Sequence, residues 1–471
     1  MIGKGTRAGA AVQIAALLLT AGCGTDEGVT PEPLAPEILA SAAAGNANNV
    51  LSAVVTARVR FADSVAVRYG LEGTALDSST PVVTPAGESA VAPVLGLLAD
   101  SRYTLQVVVY GGGRDVAGDA LSFVTGTLPA DLPQYVASGS SPSPGYVVFA
   151  AGQFGLVIDN SGRVVWYHRF PPNGPGLNFQ AQPNGRYVAH PRTPDPTDLE
   201  PWVEIDPLGN ATRAFGCVGG LPSRFHDVIA EPVGSYWVMC DETRTMDLSG
   251  IGGVADAQVM GTVVQHVSAA GVLLFQWSPF DHFEITDLDA ADRAGPTVNW
   301  THGNALDFDI DGNLVVSFRS LNEITKIDTS TGAVVWRMGG LRNEFAFLDA
   351  PTPGFARQHG VRVTGPRHLL LLDNLGDPAG SRAERYLYDA ELRAARLVGS
   401  YGPNPAVTAQ IGGSTQDLEG GRTLVSFGPA GRVQEYDAGG NVVWQIEGNP
   451  GYVFRAQRIR SLYRPGVGSP R

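Results

Sequence analysis

Three histidines lie at corresponding positions in the repeats of this chain, and their side chains could act together. His226, His302 and His359 each precede a turn and an apolar strand, and their distances from those strands agree to about two residues. The repeat that contains His302 also contains Asn304 and Arg319. A neutral imidazole is a nucleophile and a base near pH 7, whereas amide and guanidinium groups donate hydrogen bonds. We interpret these five residues as one site.

Two other interpretations of the histidines stay open at this point. A single histidine often satisfies a nearby backbone carbonyl, and three histidines also form a zinc site. Asn304 and Arg319 are poor metal ligands, and a guanidinium would repel a dication, so no metal is expected. Arg192 occupies the place of Arg319 in an earlier repeat and would either add positive potential or be solvated. The other histidines lack this registration and are interpreted as structural or surface residues: His168, His190, His266, His282 and His368.

A turn motif that recurs six times defines the elements that must position these side chains. The sequence from Asp159 to Trp166 returns from Asp328 to Trp336 and from Asp437 to Trp444, with looser copies that begin at Asp206, Ser268 and Asp389. Successive copies begin 47, 62, 60, 61 and 48 residues apart. Six such units, each a hairpin with β-branched and aromatic flanks, predict a six-bladed β-propeller over residues 134–465. Rotation about its axis would bring the three histidines to one mouth of the central channel. A solenoid is less consistent with the sequence, which has no polar caps.

The region before the repeats predicts a separate antiparallel β-sandwich over residues 36–128. Short strand-like runs with turn spacing occupy it, among them residues 50–61, 64–70, 90–97 and 103–110. The stretch from Leu97 to Tyr103 resembles the tyrosine corner of fibronectin type III domains, and residues 123–125 resemble their last strand. We therefore expect an all-β chain, with an N-terminal β-sandwich followed by the six-bladed propeller.

The N-terminus has the pattern of an export signal. Lys4 and Arg7 precede an apolar run over residues 8–19, which is too short to span a bilayer and leads into Thr20-Ala-Gly-Cys23. Residues 1–22 are predicted to be a signal peptide, and the cysteine after Ala-Gly resembles a bacterial lipobox in which Cys23 is lipidated. Residues 23–35 would then be a tether to the membrane. The alternative is a plain signal peptide with Cys23 as a bystander.

Composition and charge limit the partners and the compartment. The chain of 471 residues is 44% hydrophobic and 17% charged, which excludes a disordered polymer, and its net charge of −13 argues against a nucleic-acid partner. Export would leave Cys217 and Cys240 in an oxidising compartment. They could form a disulfide, and two buried thiols are the alternative.

Several motifs in the propeller region together resemble the bacterial arylsulfate sulfotransferases. They follow the family's order through most of residues 140–460: His226-Asp227, Trp300-Thr-His302-Gly-Asn304, Ser317-Phe-Arg319, Trp336-Arg-Met-Gly-Gly340, Gln358-His359 and Leu371-Leu-Asp373-Asn374. The resemblance implies exported enzymes with a six-bladed propeller after a β-sandwich. It further implies that a sulfuryl group passes from an aryl sulfate to a phenolic acceptor through a sulfated histidine, without nucleotide or other cofactor. It also favours a homodimer.

By the same resemblance, His359 would be the nucleophile. Four other residues would bind the sulfuryl oxygens and assist proton transfer: His226, His302, Asn304 and Arg319. The chain departs from the family pattern at residues 360–362, Gly-Val-Arg, and at Asn299, where Asp is common; both departures bear on substrate choice. A lipid-anchored propeller that binds a ligand or a protein at its channel mouth without catalysis is the alternative function.

Overall fold

The computed structural model describes residues 34–170, 176–191, 201–350 and 354–466. The predicted signal peptide, Cys23, residues 23–33 of the predicted tether, and Arg192 lie outside the described residues. Within them the regular elements are β-strands and four short 3₁₀ turns, at Ser249–Ile251, Pro279–Asp281, Ile285–Asp287 and Glu419–Gly421. The prediction of an all-β chain is confirmed. No helix in these ranges is long and apolar enough to cross a membrane.

The first seven strands form two antiparallel sheets that enclose one core. The strands are β1 (Glu37–Gly45), β2 (Ala53–Arg60), β3 (Ser64–Leu71), β4 (Ser78–Ser79), β5 (Ser89–Val94), β6 (Arg102–Gly111) and β7 (Arg114–Val124). One sheet has the order β1-β2-β5 and the other β4-β3-β6-β7. Alternate residues of β2 are buried, as expected of a strand with one face on a core. Val55 and Val59 of β2 pack in the same core as Val107 of β6. The hydroxyl of Tyr103 accepts a hydrogen bond from the Leu98 backbone N–H at 2.9 Å.

The rest of the described chain forms six sheets, which we number by the repeats. The strands of sheets 1 to 3 are β9 (Tyr146–Ala151), β10 (Phe154–Ile158), β11 (Val164–Arg169); β12 (Gly176–Ala181), β13 (Tyr187–Pro191), β14 (Trp202–Ile205), β15 (Ala211–Phe215); and β16 (Ser223–Ala230), β17 (Tyr236–Met246), β18 (Ala257–Val267), β19 (Leu273–Trp277), β20 (Thr297–Asn299). Each of these sheets is an antiparallel meander, except that β20 runs parallel to β18 in sheet 3.

Sheets 4 to 6 follow the same plan. Their strands are β21 (Gly303–Phe308), β22 (Leu314–Phe318), β23 (Glu323–Ile327), β24 (Val334–Gly339); β25 (Ala346–Leu348), β26 (His359–Gly365), β27 (His368–Asp373), β28 (Arg382–Asp389), β29 (Ala394–Tyr401); and β30 (Ser414–Leu418), β31 (Arg422–Ser426), β32 (Val433–Tyr436), β33 (Val442–Ile446). They are antiparallel meanders as well, except that β25 runs parallel to β29 in sheet 5. The short strand β8 (Ala137–Ser138) extends sheet 6, and β34 (Ala456–Ile459), near the end of the chain, pairs with β9 as the first strand of sheet 1.

Each recurring turn motif connects the third and fourth strands of a different sheet. In the first copy the carbonyl of Asp159 accepts a hydrogen bond from the Gly162 N–H at 3.0 Å, and the Asp159 carboxylate accepts one from the Ser161 N–H at 2.9 Å. Gly162 has a φ of 93°, a conformation that favours glycine, and a Cβ there would meet the Ala137 backbone nitrogen at 2.7 Å. The repeats therefore encode hairpins by local turn chemistry.

The first strands of the six sheets form a series of contacts around the site. Neighbouring pairs in that series are β34 with β12, β12 with β16, β16 with β21, β21 with β26, β26 with β30, and β30 with β34. Tryptophans of the repeats connect neighbouring sheets, because Trp166 donates to the Pro207 carbonyl and Trp444 to the Asn160 carbonyl. The N-terminal sheets dock on this body through Asn49, whose amide donates to the Tyr167 carbonyl at 3.1 Å.

Candidate active site

The three histidines lie where the first strands of three successive sheets begin. His226 is in β16, His302 directly precedes β21, and His359 opens β26. The ring centroids of His226 and His302 are 4.8 Å apart, and those of His302 and His359 are 6.5 Å apart. His226 and His359 are buried, whereas His302 is partly exposed. The structure therefore brings together the three imidazoles that the repeats aligned.

Two residues of the site have a left-handed backbone. His302 has a φ of 48° and Arg357, two residues before His359, has a φ of 54°. Such a conformation costs a non-glycine residue about 1 kcal/mol or more and persists only where neighbours hold it. The carbonyl of His302 accepts the Arg319 N–H at 3.0 Å, and the Arg357 N–H donates to the Asn322 side chain at 2.8 Å. These bonds fix both turns.

The side chain of Asn374 determines which nitrogen of His359 carries the proton. Its Nδ2 donates to the backbone carbonyls of Ala409 and Gly412, at 2.8 and 3.0 Å, so its Oδ1 is the atom that faces His359. That oxygen lies 2.9 Å from Nδ1 of His359, and the Arg357 carbonyl lies 3.0 Å from the same nitrogen. Both partners are acceptors, so Nδ1 must carry the hydrogen. Nε2 then holds a lone pair, which accepts the Gly412 N–H at 3.2 Å.

All three imidazoles are held neutral. Burial lowers the pKa of His359 to about 4; the bond to Asn374 opposes this shift, and the charge of Arg319 adds to it. Burial, with the charge of Arg224, also lowers the pKa of His302 to about 2 and that of His226 well below its ordinary value. At pH 7 these imidazoles are neutral and can act as nucleophiles. Their low pKa values make them weak bases until the negative charge of a bound sulfuryl group raises those values.

His226 and His302 form a hydrogen-bonded pair. Their Nε2 atoms are 3.2 Å apart, so one nitrogen donates and the other accepts. Behind His226, Nε of Arg224 donates to Nδ1 at 3.3 Å; behind His302, the side-chain amide nitrogen of Asn299 lies 2.7 Å from Nδ1. Arg224 also forms an ion pair with Asp241 of β17.

Arg319 supplies positive charge to this site. Its Nη2 donates to the Gln410 carbonyl at 3.2 Å, and its Nε is buried without a partner in the described part of the chain. Burial and the neighbouring charge of Arg357 lower the pKa of Arg319, which still leaves an arginine charged. Arg357 is paired with Asp292. A guanidinium with a free donor beside neutral imidazoles suits an anionic substrate.

Asn304 connects two of the strands that carry histidines. It is buried in β21, and its Nδ2 donates to the Gln358 carbonyl at 2.7 Å. Gln358 in turn donates to the Ser317 hydroxyl at 3.0 Å. Asn304 thus fixes the backbone just before His359, and its Oδ1 has no partner among the described residues.

A buried ion network lies below the histidines and accounts for one departure from the family pattern. Arg362 of β26 contacts the carboxylate of Asp227 at 3.0 Å, and Arg455 contacts the other oxygen of that carboxylate at 3.2 Å. The Leu306 N–H also donates to it, at 3.1 Å. Residues from the first strands of three sheets, and Arg455 directly before β34, meet at this carboxylate, so Arg362 cross-links the interior behind the site.

Aromatic side chains stand beside His226. The ring of Phe225 stacks on that of His226 at a centroid distance of 4.1 Å and lies 5.6 Å from Phe454. Tyr452, with 39% of its surface exposed, lies 6.4 Å from Phe454. This arrangement can contact a flat aryl group next to the imidazoles.

A disulfide closes the hairpin that carries His226. Cys217 and Cys240 are bonded, with an S–S distance of 2.04 Å. Cys240 is in β17, and the Cys217 N–H donates to the hydroxyl of Ser223, the first residue of β16. The bridge therefore constrains the strand that presents Arg224 and His226.

The other histidines make contacts of different kinds. His266 stacks on Trp237, and the exposed His282 stacks on Trp277. His190, unlike these two, lies close to the site. Its ring centroid is 6.2 Å from that of Phe225, which stacks on His226. Within the described ranges, no three His, Cys, Asp or Glu side chains are grouped so that they could hold a metal ion.

Three residues of the site were not assigned a role from sequence. Arg224 lies two positions before His226 in one strand, a spacing that places both side chains on the same face, and this signal was available. Asn374 belongs to a motif that resembles the family's, but only the fold shows that it reaches Nδ1 of His359. Arg357 precedes Gln358, and nothing in the sequence indicated its left-handed turn.

A known protein family matches the part of the chain that contains the candidate active site. Residues 222–449 match the model of the family described as arylsulfotransferase (ASST). That segment contains all five predicted site residues, which supports the family and a sulfotransferase activity. No curated protein matches the chain in a sequence search.

Similar solved structures are more distant. A protein of unknown function from Bacteroides caccae has 13% identity and a TM-score of 0.43, over 68% of this chain and 100% of its own. A streptogramin B lyase has 12% identity and a TM-score of 0.37, over 67% of this chain and 84% of its own. Virginiamycin B lyase from Staphylococcus aureus has 12% identity and a TM-score of 0.36, over 75% and 93%.

Proposed function

We propose that this protein transfers a sulfuryl group from an aryl sulfate to a phenolic acceptor, with Nε2 of His359 as the nucleophile. The observation that carries the proposal is the tautomer of His359, since Asn374 keeps the proton on Nδ1 and leaves the lone pair on Nε2. The positive charge of Arg319 is close enough to lower the pKa of that imidazole. The matched family segment supports the same reaction.

The donor is an anion whose transferring group spreads charge over three oxygens in a loose transition state, much as in phosphoryl transfer. Such a reaction depends on alignment and on donors that are already in place. Arg319 has an unused Nε–H for a sulfuryl oxygen. Two further kinds of donor complete the set. They are the second Nδ2 hydrogen of Asn304 and the imidazoles of His226 and His302.

In the first half-reaction, the Nε2 lone pair gives up its hydrogen bond from the Gly412 N–H and forms a bond to sulfur, while the bond between sulfur and the aryl oxygen breaks. The aryl oxygen leaves with the electron pair as a phenoxide and takes a proton from water in the first turnover. In the second half-reaction, the acceptor phenol gives its proton to one of the two other imidazoles as its oxygen bonds to sulfur. The N–S bond breaks, and its electron pair returns to Nε2 of His359. The proton now on the second imidazole goes to the next phenoxide, so the cycle balances without a cofactor.

The test is a transfer assay with 4-nitrophenyl sulfate and phenol. Release of 4-nitrophenol over many turnovers should require both phenol and His359, so H359Q should abolish it. H282Q, a change of an exposed histidine outside the site, should leave it intact. Release unchanged by H359Q would remove this residue as the nucleophile, and no release with any phenol pair would favour the non-catalytic binding alternative.

We further propose the architecture that the repeats predicted: a closed six-bladed propeller over residues 134–465 after a fibronectin type III-like sandwich over residues 36–128. The series of contacts between first strands, with β34 completing sheet 1, supports closure. The hydrogen bond to the hydroxyl of Tyr103 supports the sandwich type, because it is the bond of a tyrosine corner. An experimental structure with an open gap between sheets 6 and 1 would contradict this.

We also propose that the protein is exported and anchored to the cell envelope by a lipid on Cys23. The charge and apolar pattern of residues 1–22 supports this, and the disulfide between Cys217 and Cys240 fits an oxidising compartment. Mass spectrometry of the mature N-terminus should find a diacylated Cys23, and an unmodified one would contradict the anchor. The homodimer and the absence of a nucleic-acid partner stay predictions.

A further inference from the structure

We infer that Arg224 is a positioning residue that holds His226 as a permanent Nε2–H donor and so leaves the acceptor's proton to His302. This inference rests on the proposed function, which by itself does not decide which imidazole of the pair acts as the base. It follows from the direction of the hydrogen bonds that run from Arg224 through both rings.

Arg224 lies directly behind the ring of His226. Arg224 and His226 are both buried in β16, and their side chains are in direct contact. Nε of Arg224 lies 3.3 Å from Nδ1 of His226. The other end of the guanidinium pairs with Asp241 and lies 3.9 Å from the sulfur of Met260. These contacts hold the guanidinium against the back of the ring.

The hydrogen bonds between Arg224, His226 and His302 have a defined direction. A guanidinium has donors and no acceptor, so Nδ1 of His226 must accept and its proton must sit on Nε2. That Nε2–H faces Nε2 of His302 at 3.2 Å, which therefore holds a lone pair. The remaining proton of His302 is on Nδ1, next to the amide of Asn299. The Asn299 amide must then be turned over, so that its oxygen, which has no partner among the described residues, replaces its nitrogen beside Nδ1 and accepts that proton.

This direction gives the rings of His226 and His302 different roles in proton transfer. His226 has no free basic nitrogen, because Arg224 occupies Nδ1 and Nε2 already carries hydrogen, so it can only donate to a sulfuryl or phenolic oxygen. His302 has its lone pair on Nε2, and it is the more exposed ring of the two. A phenol that displaces His226 from that lone pair gives its proton to His302.

The charges around His226 favour the same assignment. The positive groups that face it are Arg224, and Arg455, which donates to its backbone carbonyl at 3.0 Å. The rings of His302, His359 and His190 oppose a proton on it as well, and burial is the largest cause of its lowered pKa. The carboxylate of Asp227, which follows in the strand, is occupied by Arg362 and Arg455.

The direct test is nitrogen NMR of the full-length protein labelled with ¹⁵N-histidine, with the His226 signals assigned by their loss in H226Q. The native protein should show a non-protonated Nδ1 and a protonated Nε2 for His226, and an Nδ1–H tautomer for His302. A protonated Nδ1 on His226 would overturn the inference. This readout does not depend on activity, so it stands or falls separately from the sulfotransferase proposal.

The kinetic test uses the double variant R224M/D241N, which does not leave Asp241 as a half-buried carboxylate without its partner. D241N alone is the matched control, since it keeps the bond to His226. Loss of the cation should raise the pKa of both His226 and His302, because the charge of Arg224 lowers both. The acid limb of the pH–rate profile should therefore move to higher pH, and kcat/KM should fall roughly 10²-fold. D241N and R224K should keep the native acid limb. A double variant with the native profile would refute the role of Arg224.

Discussion

The neutral state of His359 predicts a measurable change of stability with pH. The pKa of this buried imidazole is lowered to about 4, whereas in the unfolded chain it has its ordinary value of about 6.5. Between these two values the unfolded chain binds a proton that the folded protein does not. Stability that is present above about pH 6.5 is therefore lost as the pH falls towards 4.

The size of the effect follows from the two values. Between about pH 7.5 and about pH 4.5, the titration of His359 alone should lower the free energy of unfolding by about 2.5 kcal/mol. The variant H359Q lacks this group, so the free-energy difference between the wild type and H359Q should shift by that amount over this range. The other histidines titrate in both proteins and cancel in the comparison to first order.

The assay is urea unfolding of both proteins at each pH, analysed from the midpoint and the slope. H282Q is the control, because its exposed ring should leave the pH dependence of the wild type unchanged. If the wild type and H359Q lost stability in parallel, His359 would already titrate normally in the folded protein. The neutral nucleophile would then have no structural basis.

Three other changes test parts of the same account. R319M should lower kcat/KM by roughly 10²–10³ by removing a donor to the sulfuryl group, with partial recovery in R319K and no change of the thermal midpoint. C217A/C240A should lower the free energy of unfolding by about 3 kcal/mol, as expected for a bridge across 23 residues, and reduction of the wild type should reproduce the shift in thermal unfolding. R362M should cost about 1.5–3 kcal/mol by depriving buried Asp227 of one of its two cations, whereas D227N/R362M should cost less; equal losses would contradict the network.

The sequence predicted what its repeats encode. The turn from Asp159 to Gly162 carries its own hydrogen bonds and its left-handed glycine, so its copies fixed the number of hairpins and their order. Counting from those hairpins brought His226, His302 and His359 into register, and the structure places their rings side by side.

The protonation of the site could not be predicted in the same way. It depends on Asn374, which follows β27, and on Gly412, which precedes β30 in the next sheet, and no repeat arithmetic relates these loops to His359. Arg362 was noted only as a departure from a family pattern, and its partner Asp227 is 135 residues away in the chain. Long-range polar pairs of this kind become visible only when the strands are assembled.

The central claim is that the sulfuryl group is carried by Nε2 of His359. The most direct measurement is peptide mass spectrometry of the protein after brief incubation with 4-nitrophenyl sulfate, without acceptor and quenched in base because the adduct is acid-labile. The account predicts one added SO₃ group on the peptide that contains His359, its loss on addition of phenol, and none in H359Q. An adduct on another residue, or transfer activity with no adduct on this peptide, would contradict the account.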